Sequence, residues 1–272
     1  MIWYNRTRSL NNISMEYKVT ESHGFKYIET SPGKPVLLLL HGLFGALSNF
    51  KGILTHFEGK LNVVVPILPI FELPITEVSL EGLVKHIKAF VDYKEIYSLD
   101  LLGNSLGGHL AILYTLKYPG EIRSLTLTGS SGLFESAMGT TFPKRGDYEF
   151  IKNKTELTFY DPAVADKELV DEVFNIVNDR MKGLRIVLTA KSAMRNNVEH
   201  LAATIQAPTL LVWGKEDSIT PAFVGERFHE LIPNSKLVLV DRCGHAPMME
   251  HPHLFNEILD GFLTRIHIEV YG

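Results

Sequence analysis

The chain contains a single cysteine, Cys243, in 272 residues, so no internal disulfide can form. That usage fits a reducing compartment, and a cytoplasmic location is expected. Long hydrophobic runs are also lacking. Residues 35–40 form an apolar stretch far too short to span a bilayer, so no stable membrane insertion is expected. Residues 1–8 lack the apolar centre of a secretory leader. Charge of one sign is not in excess: 27 Lys and Arg against 31 Asp and Glu leave a formal net charge of −4, which offers no electrostatic footprint for nucleic acid. Repeats and low-complexity tracts are absent from the pattern. What is present is ordinary for a globular protein: 45% hydrophobic and 21% charged residues, enough to bury a large core in one α/β domain or in a core with an insertion.

The hydrophobic pattern alternates between strand-like and helix-like segments. Residues 13–19 and 25–28 read as an antiparallel hairpin. Residues 36–40 are continuously apolar, as expected of a central strand covered on both faces. Helices are predicted at 48–57 and 80–91, and strands at 63–65, 96–102 and 124–128. From 134 to 200 the pattern becomes charged and helical. Strand and helix alternation then resumes with strands at 208–213 and 236–240 and a helix at 254–266. Repeated βα units imply a doubly wound, mostly parallel sheet. The middle segment is simplest as a helical excursion lying over the sheet, which divides the chain into a core of 1–133 with 201–272 and an insertion of 134–200.

The most informative stretch is Gly103-Asn104-Ser105-Leu106-Gly107-Gly108, set between an apolar strand and an apolar helix. A serine on so tight a strand-to-helix turn is lifted clear of the sheet, and flanking glycines let neighbouring backbone approach. The turn also sets the Leu106 N–H at a helix start, where an oxyanion is stabilised. A serine nucleophile needs a base, and the base an orienting acid. Asp217 lies just past the strand at 208–213 and His245 just past the next, at the carboxyl ends where such sheets gather ligands. Glu216 and Asp241 are competing acids, His109 is a competing histidine, and His200, near the return of the middle segment, is a candidate substrate contact. A second oxyanion donor is expected from His41-Gly42-Leu43-Phe44-Gly45, at Leu43, with His41 bracing the loop.

His41-Gly42-Leu43-Phe44-Gly45, Gly103-Asn104-Ser105-Leu106-Gly107-Gly108, Val212-Trp213-Gly214-Lys215-Glu216-Asp217 and Cys243-Gly244-His245, in this chain order, resemble the α/β-hydrolase superfamily in its cap-bearing, esterase-like branch. The resemblance implies an eight-stranded sheet with a helical cap at 134–200. It assigns Ser105 as nucleophile, His245 as base and Asp217 as acid, with backbone N–H groups of Leu43 and Leu106 as the oxyanion hole. It implies no metal and no organic cofactor, and a small-molecule acyl substrate, an ester or thioester. Phe44, Asn104 and Ala246 are the expected pocket residues; oligomeric state is left open.

Asn104 and the Cys243-Gly244-His245 context with Glu250-His251 also resemble the meta-cleavage-product hydrolases, which cut carbon–carbon bonds. Those enzymes carry Trp where Ala246 stands and a cap arginine where Val173 stands, with Arg180 and Arg185 the nearest alternatives. A hydrolase-fold ligand binder with little turnover is the third reading. The stretch 66–74, apolar and stiffened by prolines, is expected either to pack under the cap or to line an acyl pocket.

Overall fold

Eight strands form one sheet in the computed structural model, which describes residues 17–44, 47–134 and 145–271. They are β1 (Thr20–Ser22), β2 (Phe25–Glu29), β3 (Val36–Leu40), β4 (Asn62–Pro66), β5 (Leu99–Asn104), β6 (Ile122–Thr128), β7 (Thr209–Gly214) and β8 (Ser235–Val240). Their spatial order is β1-β2-β4-β3-β5-β6-β7-β8. β2 pairs antiparallel with β1 and β4, and every other pairing is parallel. The interspersed helices are α1 (Lys51–Phe57), α2 (Leu80–Tyr93), α3 (Leu106–Lys117), α8 (Ala222–Leu231), α9 (Pro247–Glu250) and α10 (Pro252–Tyr271). Between β6 and β7 run four more, α4 (Tyr148–Glu156), α5 (Lys167–Asn178), α6 (Arg180–Arg195) and α7 (Glu199–Ala202).

Successive residues of a strand face opposite sides of its sheet, so a strand covered on both sides must be apolar at every position. β3 shows this directly. Leu38 and Leu40 join the core beneath α2, α3 and α8, with Ile87, Phe90, Leu110, Tyr114 and Phe228. Leu37 and Leu39 join the opposite core beneath α1 and α10, with Ile53, Phe57, Leu259 and Leu263. The five-residue apolar run is therefore a record of two cores.

The hairpin differs from the sequence pattern. Its second arm is β2 as expected, but its first arm is Thr20–Ser22. His23 (φ 52°) and Gly24 (φ 81°) both take positive φ, the signature of a two-residue type I′ turn. That turn fixes Ser22 opposite Phe25 and draws the strand next to it. Residues 17–19 are not strand, and residues 13–16 lie outside those described.

At the amino ends of β5 and β6 lies a buried ionic cluster. Arg123 donates to Asp100 from Nη2 at 2.6 Å, Ser124 Oγ donates at 2.6 Å and His267 Nε2 lies 2.8 Å away. Burial alone would push the Asp100 carboxyl up, but the bonds from His267 and Arg123 outweigh it and hold it below the usual carboxylate range. Removing one member of a buried pair strands the other's charge. Arg123→Ala is therefore expected to lower unfolding free energy by about 3–5 kcal/mol, read as a shift in the urea midpoint.

Among the described residues no helix is long and apolar enough to cross a membrane.

Candidate active site

β5 ends at Asn104 and α3 begins at Leu106, leaving Ser105 alone to turn the chain. It does so at φ 56° and ψ −120°, a conformation that costs a non-glycine residue strain of order 1–3 kcal/mol. The Ser105 N–H is fixed on Thr128 O at 3.1 Å, and the side chain makes no capping bond to α3. The flanking glycines are required by space. A Cβ on Gly107 would stand 2.0 Å from Leu40 O, and one on Gly103 would stand 2.3 Å from Gly107 O.

Leu106 opens α3, so its N–H is among the donors a helix start leaves without an internal partner. The loop after β3 lies against the serine: a Cβ on Gly42 would be 3.3 Å from Ser105 Cβ. His41, 6% exposed, holds this loop from within. Its Nδ1 lies 2.8 Å from Gly42 O, and its Nε2 accepts from Leu68 N at 3.0 Å. Burial keeps the ring neutral, and accepting at Nε2 places the proton on Nδ1.

Asp217 and His245 meet past the ends of β7 and β8. His245 Nδ1 is 2.9 Å from Asp217 Oδ2, with both residues buried. The carboxylate is saturated with donors. Oδ1 accepts from the N–H groups of Ile219 (2.8 Å) and Thr220 (2.9 Å), and Oδ2 accepts from Thr220 Oγ1 at 3.0 Å. The Thr220 hydroxyl also lies 3.3 Å from His245 Nδ1. Thr220 escaped the sequence reading, although an aspartate bonding the N–H groups two and three residues on is a local turn signal. The rival acids are engaged elsewhere. Glu216 accepts from Cys243 N at 3.0 Å, and Asp241 pairs with Lys215 at 2.5 Å in solvent.

His245 is set against the serine turn by Gly129, at the end of β6, where a Cβ would lie 2.8 Å from His245 Nδ1. Asn104 completes the joint. Its Nδ2 donates to Thr128 O at 3.0 Å and to His245 O at 3.3 Å. The helical segment also reaches this loop, because His245 N donates to Thr158 O (2.9 Å) and Ser218 Oγ donates to Leu157 O (2.7 Å). Glu250 ties both sides, accepting from Gly244 N at 2.8 Å and from Tyr160 N at 2.7 Å.

Above Ser105 lies a cavity of about 50 Å³. Leu43, Ser105 and Leu106 line it together with Ser131, Ile219 and Thr220. α6 supplies Thr189, Ala190 and Ala193, and Phe134 completes the lining. The expected pocket residues are placed otherwise. Asn104 is turned inward by its two carbonyl acceptors, Ala246 is 4% exposed in the core under α10, and Phe44 packs against the core on the α3 side. Among the described residues the lining carries no charged side chain. Arg185 donates to Leu73 O at 3.2 and 3.1 Å, and Arg180 is exposed. The proline-stiffened stretch is half in the core: Pro66, Leu68 and Ile70 are buried, Leu68 and Ile70 in the same cluster as Leu43 and Ala193, while Glu72 and Pro74 are exposed.

His109 and His200 take no place in the lining. His200 is exposed on α7. His109, fully buried on α3, donates from Nε2 to Asn196 O at 2.8 Å, and its Nδ1 lies 3.5 Å from the Ser131 hydroxyl. Burial lowers its pKa to about 4 from an ordinary 6.5. The unfolded chain thus takes up this proton first as pH falls. The stability held by the neutral ring is complete above pH 6.5 and declines by about 3 kcal/mol toward pH 4. Urea midpoints measured across that window are expected to fall with pH, and to fall less in His109→Gln.

The chain is similar to known proteins along most of its length. A 2-hydroxy-6-oxononadienedioate/2-hydroxy-6-oxononatrienedioate hydrolase of Paraburkholderia phymatum is 26% identical over 259 residues, covering 87% of this chain and 90% of that protein. The monoacylglycerol lipase ABHD6 of Bos taurus is 27% identical, covering 97% of this chain and 86% of that one. Among solved structures, an alpha/beta hydrolase enzyme, MGS-MChE2, from a lagoon-sediment metagenome of Mar Chica, Morocco, superposes with a TM-score of 0.75 at 36% identity, covering 91% of this chain and 98% of its own. The model of the alpha/beta hydrolase family matches residues 37–258, most of the sheet and both loops that carry Asp217 and His245. The chain is a hydrolase of this type, and it belongs to the alpha/beta hydrolase family.

Proposed function

We propose that the chain is a serine hydrolase of small carboxylic esters or thioesters, working through an acyl-enzyme on Ser105. The observation that carries this reading is that Ser105, Leu43 and Leu106 line one cavity, with the Asp217–His245 pair beside the serine turn. Ser105 Oγ attacks the carbonyl carbon while its proton passes to His245 Nε2. The oxygen, now negative, is held by the N–H groups of Leu43 and Leu106. Asp217 keeps the other His245 proton on Nδ1 and stabilises the ring when it is charged. The tetrahedral adduct collapses, and His245 returns its proton to the departing alcohol or thiol. Water, deprotonated by His245, then attacks the acyl-enzyme, and breaking the bond to Ser105 releases the acid. Helices α4 to α7 act as a cap, with α6 forming the wall against the acyl group.

A cavity of about 50 Å³ admits only a few heavy atoms. Across a series of p-nitrophenyl esters, kcat/KM is expected to be highest for acyl chains of about two to four carbons and to fall for longer ones. Equal turnover of acetyl and decanoyl esters would contradict the cavity as the acyl site.

The reading of carbon–carbon hydrolysis is favoured by the Paraburkholderia relative's name. Its substrates carry a carboxylate. An anion buried without a cation is strongly disfavoured, and the described lining offers none. Faster turnover of a dienol-keto acid than of any ester would reverse this order. Labelling of Ser105 by a fluorophosphonate separates both enzymes from an inert binder.

A further inference from the structure

One residue holds both oxygens of Asp217. Thr220 donates its backbone N–H to Oδ1 at 2.9 Å and its hydroxyl to Oδ2 at 3.0 Å, the oxygen that also faces His245 Nδ1 at 2.9 Å. The hydroxyl lies 3.3 Å from that nitrogen as well. A ring nitrogen that donates its proton to Asp217 offers no lone pair, so the carboxylate is the acceptor of the hydroxyl. The Ile219 N–H adds a bond to Oδ1 alone. A carboxylate bonded at one oxygen is free to turn about its own axis, and one bonded at both has its plane fixed.

Thr220 is itself placed with little freedom. Pro221 biases the residue before it to extended backbone, and a β-branched side chain is stiff about its first torsion. The Thr220 carbonyl accepts from Trp213 Nε1 at 2.8 Å. That indole, wholly buried on β7, is closed in by α8, where a Cβ on Gly225 would stand 2.8 Å from the ring. A chain of contacts thus runs from the core through Trp213 and Thr220 to Asp217 and His245.

Resting on the serine-ester reading, we infer that Thr220 is a positioning residue of the reaction: its hydroxyl fixes the plane of the Asp217 carboxylate and, through it, the direction in which His245 presents Nε2 to Ser105. The hydroxyl makes and breaks no bond of the substrate. Without it His245 alone would draw on Oδ2, and the pair would be free to turn together about the bonds to Oδ1. A base turned slightly away from its nucleophile costs rate and leaves binding alone. Thr220 also lines the cavity, so its hydroxyl has to be told apart from its bulk.

The test measures kcat and KM of the full chain on p-nitrophenyl butanoate. Thr220→Val keeps the shape and the backbone N–H and removes only the hydroxyl; kcat is expected to fall about ten- to hundredfold with KM held within about twofold. Thr220→Ser, which returns the hydroxyl, is expected to recover kcat to within about threefold of wild type. Action through the acid is read in a double variant. In Asp217→Asn the group turned to Thr220 is a donor, so the hydroxyl has no carboxylate oxygen to hold, and adding Thr220→Val is expected to cost less than about threefold more. A kcat for Thr220→Val within about threefold of wild type overturns the inference and leaves the ester reading intact. Equal losses in the valine and serine variants, a loss carried by KM, or a full further loss on top of Asp217→Asn make Thr220 a piece of the cavity wall and overturn it too. Should the valine variant not fold, Thr220→Ala carries the same comparisons. Absence of turnover by wild type overturns the ester reading, and this inference with it.

Discussion

Ser105→Ala is expected to lower kcat on a short aryl ester about a millionfold while leaving the fold unchanged. The backbone at this position is strained in either variant, since alanine and serine meet the same Cβ conflict at φ 56°. The Ser105 N–H bond to Thr128 O is a main-chain contact and survives the change. Only the nucleophilic oxygen is lost. What remains is an oxyanion site and a cavity, which by themselves still stabilise attack by water some thousandfold over solution. His245→Ala should cost about as much, and the double variant no more, because the two side chains act on one proton. Matched circular dichroism spectra with residual turnover at the level of the oxyanion site are the expected result. Turnover within tenfold of wild type would remove Ser105 from the chemistry.

The second large effect is expected at Asp217. Its four donors, the Ile219 and Thr220 N–H groups, the Thr220 hydroxyl and His245 Nδ1, leave no place for a donor on the side chain itself. An asparagine keeps one acceptor oxygen. If that oxygen stays on the two backbone N–H groups, the new NH2 faces His245 Nδ1 and Thr220 Oγ1. His245 must then accept at Nδ1, which moves its proton to Nε2, the atom required to receive the proton of Ser105. Asp217→Asn should therefore lose about ten thousandfold in kcat with little change in KM. The opposite flip would break two buried backbone bonds and lower the melting temperature, so the two arrangements are distinguishable. A loss below tenfold would mean that Asp217 does not orient the base.

The parts of the molecule most legible in the sequence are those buried on both sides. β3 and β7 show as apolar runs because each adjoins both cores, and the glycines around Ser105 show because backbone passes within a Cβ's reach. The loops bearing Asp217 and His245 follow from the strands that precede them. The cavity wall was not legible. Which face of α6 meets Ser105 is set by how the helix rests on Leu73 and Leu80, through Arg185 and Ser192, and a charged amphipathic pattern does not encode that rotation. Asn104 misled for a related reason. Its place beside the serine points to the pocket, but two carbonyls only the folded sheet brings together turn its amide inward.

The segment 157–160 has a practical bearing on how this scaffold is recombined. Leu157 O, Thr158 O and Tyr160 N bond to Ser218, His245 and Glu250, so a piece of the helical insertion is stitched to the loops of both the acid and the base. A chimaera that takes the whole insertion from a relative would import foreign stitching beneath its own catalytic pair. Crossovers placed after Tyr160 keep those three bonds native and exchange α5 and α6, of which α6 lines the cavity. On the proposed site, exchanges made after Tyr160 are expected to alter substrate range and to spare catalytic competence, which places the seam between the two inside residues 134–200, not at their ends.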